Sequence, residues 1–383
     1  MNNEYNNSQE NELCNIKPWN SRDYPVKVNS IRYNQDFSLL TLGTSKGYKI
    51  FLTSNLKQAH EENDIIKNLG DISIAMAYYK SSLVFFLPSR YNQNFTNNEI
   101  IIFDDFYQTK FASFKDKSEE ILNFFISKNI LSFITLSKII VIELKTFQVI
   151  DIIHNINSTN KLLSFNNFDF IAYTLLKNKK KVYVKFYQNK DHKIESLMKK
   201  EITSNFEFIQ TLQLSPSGEV LAIVSIFGNK IHIYYTKDGK LKDCIFLGPT
   251  LQTIENVLFP ELRPNYFFVL KNNKKFYIYK ISKEREENPK CICRKYDDKY
   301  IKNENEEKEN SGIFGFFRKS SRNKDIKEAH AFSEYEGNIK FIDFDRNKRK
   351  DIILINQKGE FIKYHFNKKM SGNIQPILKI QWV

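Results

Sequence analysis

The sequence predicts an all-β fold, a seven-bladed β-propeller of the WD40-like kind, and three observations predict it. The first is the rhythm of residues 209–246. Apolar and polar residues alternate from Ile209 to Leu214, and Ser215-Pro216-Ser217-Gly218 forms a turn. An apolar run at Val220–Val224, a turn at Gly228-Asn229, a strand at Ile231–Tyr235 and the turn Lys237-Asp238-Gly239 follow. Four short antiparallel strands joined by tight turns make one blade. The second is length: 383 residues hold seven units of roughly 40–50 residues with a little left over. The third is composition. Phe (33), Tyr (20) and β-branched residues favour half-buried pleated surfaces, while Gly (12) and Pro (9) are modest.

In chain order, residues 1–24 are polar and read as a disordered segment before a propeller at 25–383. Blade one takes strands at 28–33, 38–44 and 47–51, with a turn at Asn34-Gln35-Asp36. Blade two takes 74–79, 81–86 and 100–105, interrupted by a polar insertion at 90–98. Blade three takes 122–126, 130–136, 138–144 and 149–153, and blade four spans 160–202, with Lys177–Lys181 as a solvated hairpin tip. Blade five is the stretch above, and blade six runs from Ile254 through Tyr279. A charged, flexible insertion at 284–327 then precedes blade seven at 328–383, with strands at 339–344, 351–356 and 361–366.

Two stretches carry a family resemblance. The run Asn34-Gln35-Asp36-Phe37-Ser38-Leu39-Leu40-Thr41-Leu42-Gly43-Thr44-Ser45-Lys46-Gly47-Tyr48 resembles the first-blade signature of the PROPPIN family, the WIPI-type autophagy β-propellers that bind phosphoinositides. Ser81-Ser82-Leu83-Val84 and Phe103-Asp104-Asp105 resemble that family's second blade. The resemblance implies a cytoplasmic scaffold, peripheral on autophagic or endosomal membranes. It would bind membranes carrying phosphatidylinositol 3-phosphate or 3,5-bisphosphate, and an autophagy protein such as a lipid-transfer partner.

The same resemblance implies a lipid motif between blades five and six, with two adjacent arginines pointing into separate rim pockets. Guanidinium forks suit phosphate oxygens. Here those positions are Phe246 and Leu247, followed by Gly248. The supporting pattern reads Ser225, Phe227, Gly228, Asn229 and His232, with Phe227 and His232 where arginines are expected; of the small hydroxyl residues that follow the motif, Thr250 remains. Four guanidinium groups are therefore absent, and each charge-assisted bond would contribute on the order of 1.5–3 kcal/mol. The sequence predicts degenerate pockets. A basic substitute from Lys230, Lys240 and Lys242 is the alternative.

The family's membrane-inserting loop of blade six corresponds to Ile313, Phe314, Phe316, Phe317, Arg318 and Lys319, a set suited either to an interfacial anchor or to covering blade seven. A lipid-blind protein-interaction propeller remains the second reading.

Other classes find little support. Nucleophile-elbow, Walker and His-Glu-x-x-His patterns are absent, so no enzyme is read. Asp104-Asp105 places its carboxylates on opposite faces of a strand, and Asp343 with Asp345 reads as a solvated turn. Cys14, Cys244, Cys291 and Cys293 lack zinc spacing and read as reduced thiols, with no metal or cofactor. The net charge of +14 favours anionic partners, but nucleic acid is not expected, and a monomer is. No apolar run reaches the roughly 20 residues of a membrane span.

Overall fold

Strands covered on both faces read as continuous apolar runs, whereas strands at a rim alternate or turn polar. Blades two, three and five show that gradient among the described residues. The computed structural model describes residues 26–54, 56–59, 64–158, 162–166, 169–190, 193–247, 254–260, 263, 265–271, 275–281, 331–334, 339–345, 351–366, 372–374 and 376–381. In blade two, β4 (Ile72–Ala77), β5 (Leu83–Pro88) and β6 (Glu99–Asp104) are largely buried, and β7 (Thr109–Lys115) is mostly exposed. Blade three repeats the order with β8 (Asn123–Ile126), β9 (Ile130–Ile134), β10 (Lys138–Glu143) and β11 (Val149–His154). Blade four uses β12 (Leu163–Phe165), β13 (Phe170–Leu175), β14 (Asn178–Lys190) and β15 (Lys193–Thr203). Blade five uses β16 (Ile209–Leu214), β17 (Val220–Ser225), β18 (Lys230–Tyr235) and β19 (Leu241–Phe246).

Blade one departs from the four-strand expectation. Its described sheet has three strands, β1 (Val28–Tyr33), β2 (Leu39–Thr44) and β3 (Gly47–Leu52). A short helix that the sequence reading did not anticipate, α1 (Asp64–Asn68), packs beside β3 and buries Ile66. Blade six also differs. It holds β20 (Ile254–Leu258), β21 (Tyr266–Lys271) and β22 (Lys275–Lys280), and its outer strand is β23 (Ala331–Glu334). That last strand was expected in blade seven. The reason is chain economy: after the insertion the chain returns to complete the blade it left. Blade seven holds β24 (Ile339–Phe344), β25 (Asp351–Asn356), β26 (Glu360–His365) and β28 (Pro376–Gln381), while β27 (Gly372–Asn373) pairs in parallel with β23.

The core sits between blades as seven apolar clusters, one at each junction. The ring closes by packing. Val28, Ile31, Leu40 and Leu42 of blade one bury against Phe341, Ile353 and Ile355 of blade seven, and the Val28 amide donates to the Gln357 carbonyl at 3.2 Å.

The first-blade signature is a joint. Asn34 Nδ2 donates to the Tyr79 carbonyl at 2.9 Å, and Gln35 Oε1 accepts the Tyr79 amide at 2.7 Å. Thr41 Oγ1 accepts the Ala77 amide at 3.0 Å. Gly47 lies at φ +78, where a Cβ would stand 2.1 Å from the Ile66 carbonyl oxygen, so glycine is required. The buried Tyr48 hydroxyl donates to Asp105 at 2.6 Å, and burial together with that carboxylate pushes its pKa up. Blade one is thereby fastened to blade two.

Other expectations resolve unevenly. Asp104 caps a turn, accepting the amides of Phe106 at 3.0 Å and Tyr107 at 3.1 Å, so it and Asp105 serve separate partners. Asp343 and Asp345 are buried, not solvated; Lys363 Nζ reaches Asp345 at 2.5 Å and Asp351 at 3.2 Å, which keeps the buried charges paired. Of Lys177–Lys181, only Lys177 lies in a tight turn; the rest enters β14, and Lys181 pairs with Glu201 at 2.5 Å. Cys244 is half-buried and forms no disulfide among the described residues. Residues 1–24, the 284–327 insertion, Cys14, Cys291 and Cys293 lie outside the described residues.

Candidate functional site

The candidate site is built by the β17–β18 turn and the last residues of β19. Ser225-Ile226-Phe227-Gly228 closes with the Gly228 amide donating to the Ser225 carbonyl at 2.9 Å, and Gly228 takes φ +63. Ser225 Oγ donates to Asn229 Oδ1 at 3.1 Å, which fixes the turn from within. The Leu247 amide then donates to the Asn229 carbonyl at 2.7 Å, tying the motif segment to the turn. Three sequence-predicted residues, Ser225, Gly228 and Asn229, therefore shape backbone.

Register decides where the two motif side chains go. Residues opposite one another on an antiparallel pair share a face. Phe246 stands opposite Lys230, on the face that carries His232 and Tyr234 toward blade four. Leu247 packs on the other side, with Tyr235 and Tyr277, against the cluster between blades five and six. The two positions face opposite sides of the blade edge. Each offers hydrocarbon where a phosphate would need a donor.

His232 has no role at the surface. It is buried, its ring 4.2 Å from that of Phe206, with Nδ1 3.2 Å from the Tyr234 hydroxyl. Phe227 is 41% exposed at the turn tip. The basic alternative is not assembled. Lys230 is buried at one end of β18, whereas Lys242 Nζ lies 4.9 Å over the Tyr235 ring at the other end. Five residues of strand put roughly 16 Å between those ends. Lys240 is exposed beyond the same far end. Gly248 and Thr250, and the loop residues Ile313, Phe314, Phe316, Phe317, Arg318 and Lys319, lie outside the described residues.

Two features escaped the sequence reading. Lys271 of blade six is buried with Nζ 4.1 Å over the Tyr277 ring, and desolvation lowers its pKa. Tyr277 touches the same cluster as Leu247, so a cation does sit near this junction, held on an aromatic face. Only its place at the end of an apolar strand hinted at it. The second feature is an apolar surface around the turn. Ile226 is 49% exposed and Phe208 40% exposed, and their backbones are joined where the Ile226 amide donates to the Phe208 carbonyl at 3.1 Å.

Hsv2 of Kluyveromyces lactis superposes with a TM-score of 0.69, covering 94% of this chain and all of that one at 12% identity. Hsv2 of Kluyveromyces marxianus gives 0.66, with 93% and 99% covered at 14% identity. The fold is the PROPPIN fold. A further solved structure, KlAtg21 in complex with the coiled coil of AgAtg16, gives 0.62 over 93% of this chain and 99% of that one at 13% identity. In sequence, Autophagy-related protein 18 of Emericella nidulans is 32% identical over 74 residues. That match spans 19% of this chain and 16% of the relative's length. No protein-family model matches the chain.

Proposed function

We propose that this chain is a divergent PROPPIN, a non-enzymatic scaffold of autophagic or endosomal membrane traffic whose headgroup pockets have become apolar. The observation that carries the second half is the pair Phe246 and Leu247. They lie on opposite sides of the blade edge, Phe246 half-buried opposite Lys230 and Leu247 against the apolar cluster of blades five and six, and neither offers a hydrogen-bond donor. The first half is supported by the fold shared with Hsv2 and Atg21 and by the short match to Autophagy-related protein 18. Membrane contact in this reading is peripheral, since no helix among the described residues is long and apolar enough to cross a bilayer. A coiled-coil autophagy protein is the expected partner class, by likeness to the Atg21 complex.

The test is vesicle co-sedimentation at physiological salt. Vesicles carrying phosphatidylinositol 3-phosphate are compared with vesicles matched in charge by phosphatidylserine. Equal pelleting with both is the expected outcome. Selective pelleting with the phosphoinositide would overturn the reading of Phe246 and Leu247.

One observation favours a second reading, a protein-only platform. Phe106 and Tyr107, 77% and 72% exposed, stack edge to face at the β6–β7 turn, and Phe111 on the outer strand β7 is 58% exposed. Exposed aromatics of this kind suit protein docking. Absence of pelleting with either vesicle would support it.

A further inference from the structure

In each blade the chain meanders from the innermost strand outward, so all connections between second and third strands emerge on one face of the disc. Tight hairpin turns ordinarily carry Gly, Asn, Asp or Ser at their tips. On this face four consecutive blades do otherwise. Blade two presents Tyr91, 82% exposed; blade three Leu136, 58%; blade four Leu176, 54%; and blade five Ile226 and Phe227, with Phe208 beside them.

These tips are held. The Tyr91 amide donates to Ser89 Oγ at 3.0 Å, and the Thr135 amide donates to the Lys138 carbonyl at 2.9 Å beneath Leu136. Leu176-Lys177 is a two-residue turn, because Leu175 pairs with Asn178. Ordered apolar tips lose little conformational entropy when they meet a partner.

Charge follows the same face. The six described second-to-third-strand connections contain no Asp or Glu, and they contain Lys46, Arg90, Lys177 and Lys358. Described turns of the opposite face balance Asp36, Asp105, Asp169, Glu219 and Asp238 against Lys80, Lys128, Lys145, Lys237 and Lys240. Carboxylates in the connection between blades two and three, on the apolar face, are engaged locally. Asp116 pairs with Lys138 at 2.8 Å, Glu119 accepts from Ser137 Oγ at 2.5 Å, and Glu120 pairs with Arg90 at 2.6 Å. Glu207 stands exposed beside Phe208.

We propose that this face, through Tyr91, Leu136, Leu176 and the Phe208–Phe227 patch, is a membrane-docking surface for an anionic bilayer. The occupant follows from the layout. The tips belong to four different blades, each on its own turn, and not to one strand or helix. A fluid, planar surface meets such an array without having to match its gaps, and each tip can enter the headgroup region. Cations at the turn tips meet lipid phosphate and serine carboxylate. The inference rests on the peripheral-membrane reading above and adds which surface makes contact, independently of any headgroup pocket.

The experiment uses the full chain with vesicles of phosphatidylcholine and phosphatidylserine. Wild type is compared with the variant Leu136→Ser/Leu176→Ser/Phe227→Ser and with the opposite-face control Phe106→Ser/Tyr107→Ser. All five residues are exposed, so unchanged melting curves are expected and are checked first. The face variant should need about tenfold more lipid for half-maximal binding, or more, while the control binds as wild type does. Wild-type binding should also survive salt of about 0.5 M, where adsorption by net charge alone is screened away. If wild type binds and the face variant matches it, or the control weakens equally, this inference falls and the peripheral-membrane reading stands. If wild type binds no vesicle, both fall, and the apolar face belongs to a protein partner.

Discussion

The joint between blades one and two and the rim of blade five are the two places where the sequence resembles a family pattern, and they are built differently. At the joint four signature residues engage the neighbouring elements: Asn34 and Gln35 hold Tyr79, Tyr48 reaches Asp105, and Gly47 admits the Ile66 carbonyl. At the rim the backbone residues Ser225 and Gly228 remain, while the positions that would carry charge hold Phe227, His232, Phe246 and Leu247. The difference separates what the fold needs from what a ligand needs. Closing a ring of seven blades constrains the joint whether or not a lipid binds. The described packing of blade five is complete without arginine at these positions.

The strongest way to break that contrast is at the joint. Gly47→Ala would force a Cβ against the Ile66 carbonyl at a φ that only glycine adopts readily. Strain and clash together should cost about 4 kcal/mol, read as a large fall in the thermal midpoint. A change below about 1 kcal/mol would mean that α1 yields and that the joint is not rigid.

The rim has one position that should resist. His232→Arg would place a guanidinium, which stays charged, in a buried site against Phe206, and should cost about 3 kcal/mol. This result would set His232 apart from Phe246, which stands half-buried at the edge.

Much of this was legible in the sequence, for reasons particular residues show. Val220–Val224 reads as a strand covered on both faces, and it is; the period-2 run at Ile209–Leu214 is an inner strand. The divergent placement of Phe246 and Leu247 follows from strand alternation alone. Three things were not legible. Burial of His232 depends on Phe206 from the preceding connection, a contact no local pattern reports. Asp343 and Asp345 look like a polar turn until Lys363, two strands away, pairs with the second of them. The assignment of Ala331–Glu334 to blade six requires knowing that the chain returns across an insertion.

Acid should separate the two regions again. Burial alone would raise the Asp116 carboxyl, but bonds from Lys138, Ser118 and the Glu119 amide outweigh it and hold the pKa at about 2. A carboxyl depressed in the folded state contributes stability above its unfolded pKa and loses it as pH falls through the folded one. About 2 kcal/mol should therefore disappear between roughly pH 4 and pH 2. Asp36, Glu99 and Glu119, in blades one and two or the connection that follows them, are lowered as well, as is Glu360 in blade seven. Hydrogen exchange should show protection falling in those blades before blade five, and Asp116→Asn should flatten the acid dependence. Loss of blade five first would show that acid acts elsewhere.

The smallest expected change in stability is the one that asks most about function. Phe246→Arg with Leu247→Arg introduces two charges at half-buried positions, and should cost no more than about 1 kcal/mol because long cationic side chains can reach solvent at a rim. Two arginines should raise binding to any anionic vesicle. They should not create preference for phosphatidylinositol 3-phosphate over charge-matched phosphatidylserine, because a phosphomonoester needs several converging donors and positions 227 and 232 still supply none. Vesicle co-sedimentation of the double variant decides it. Selectivity gained from these two substitutions would mean that nearby groups such as Lys271 complete a pocket, and that the rim is one step from lipid recognition and not several.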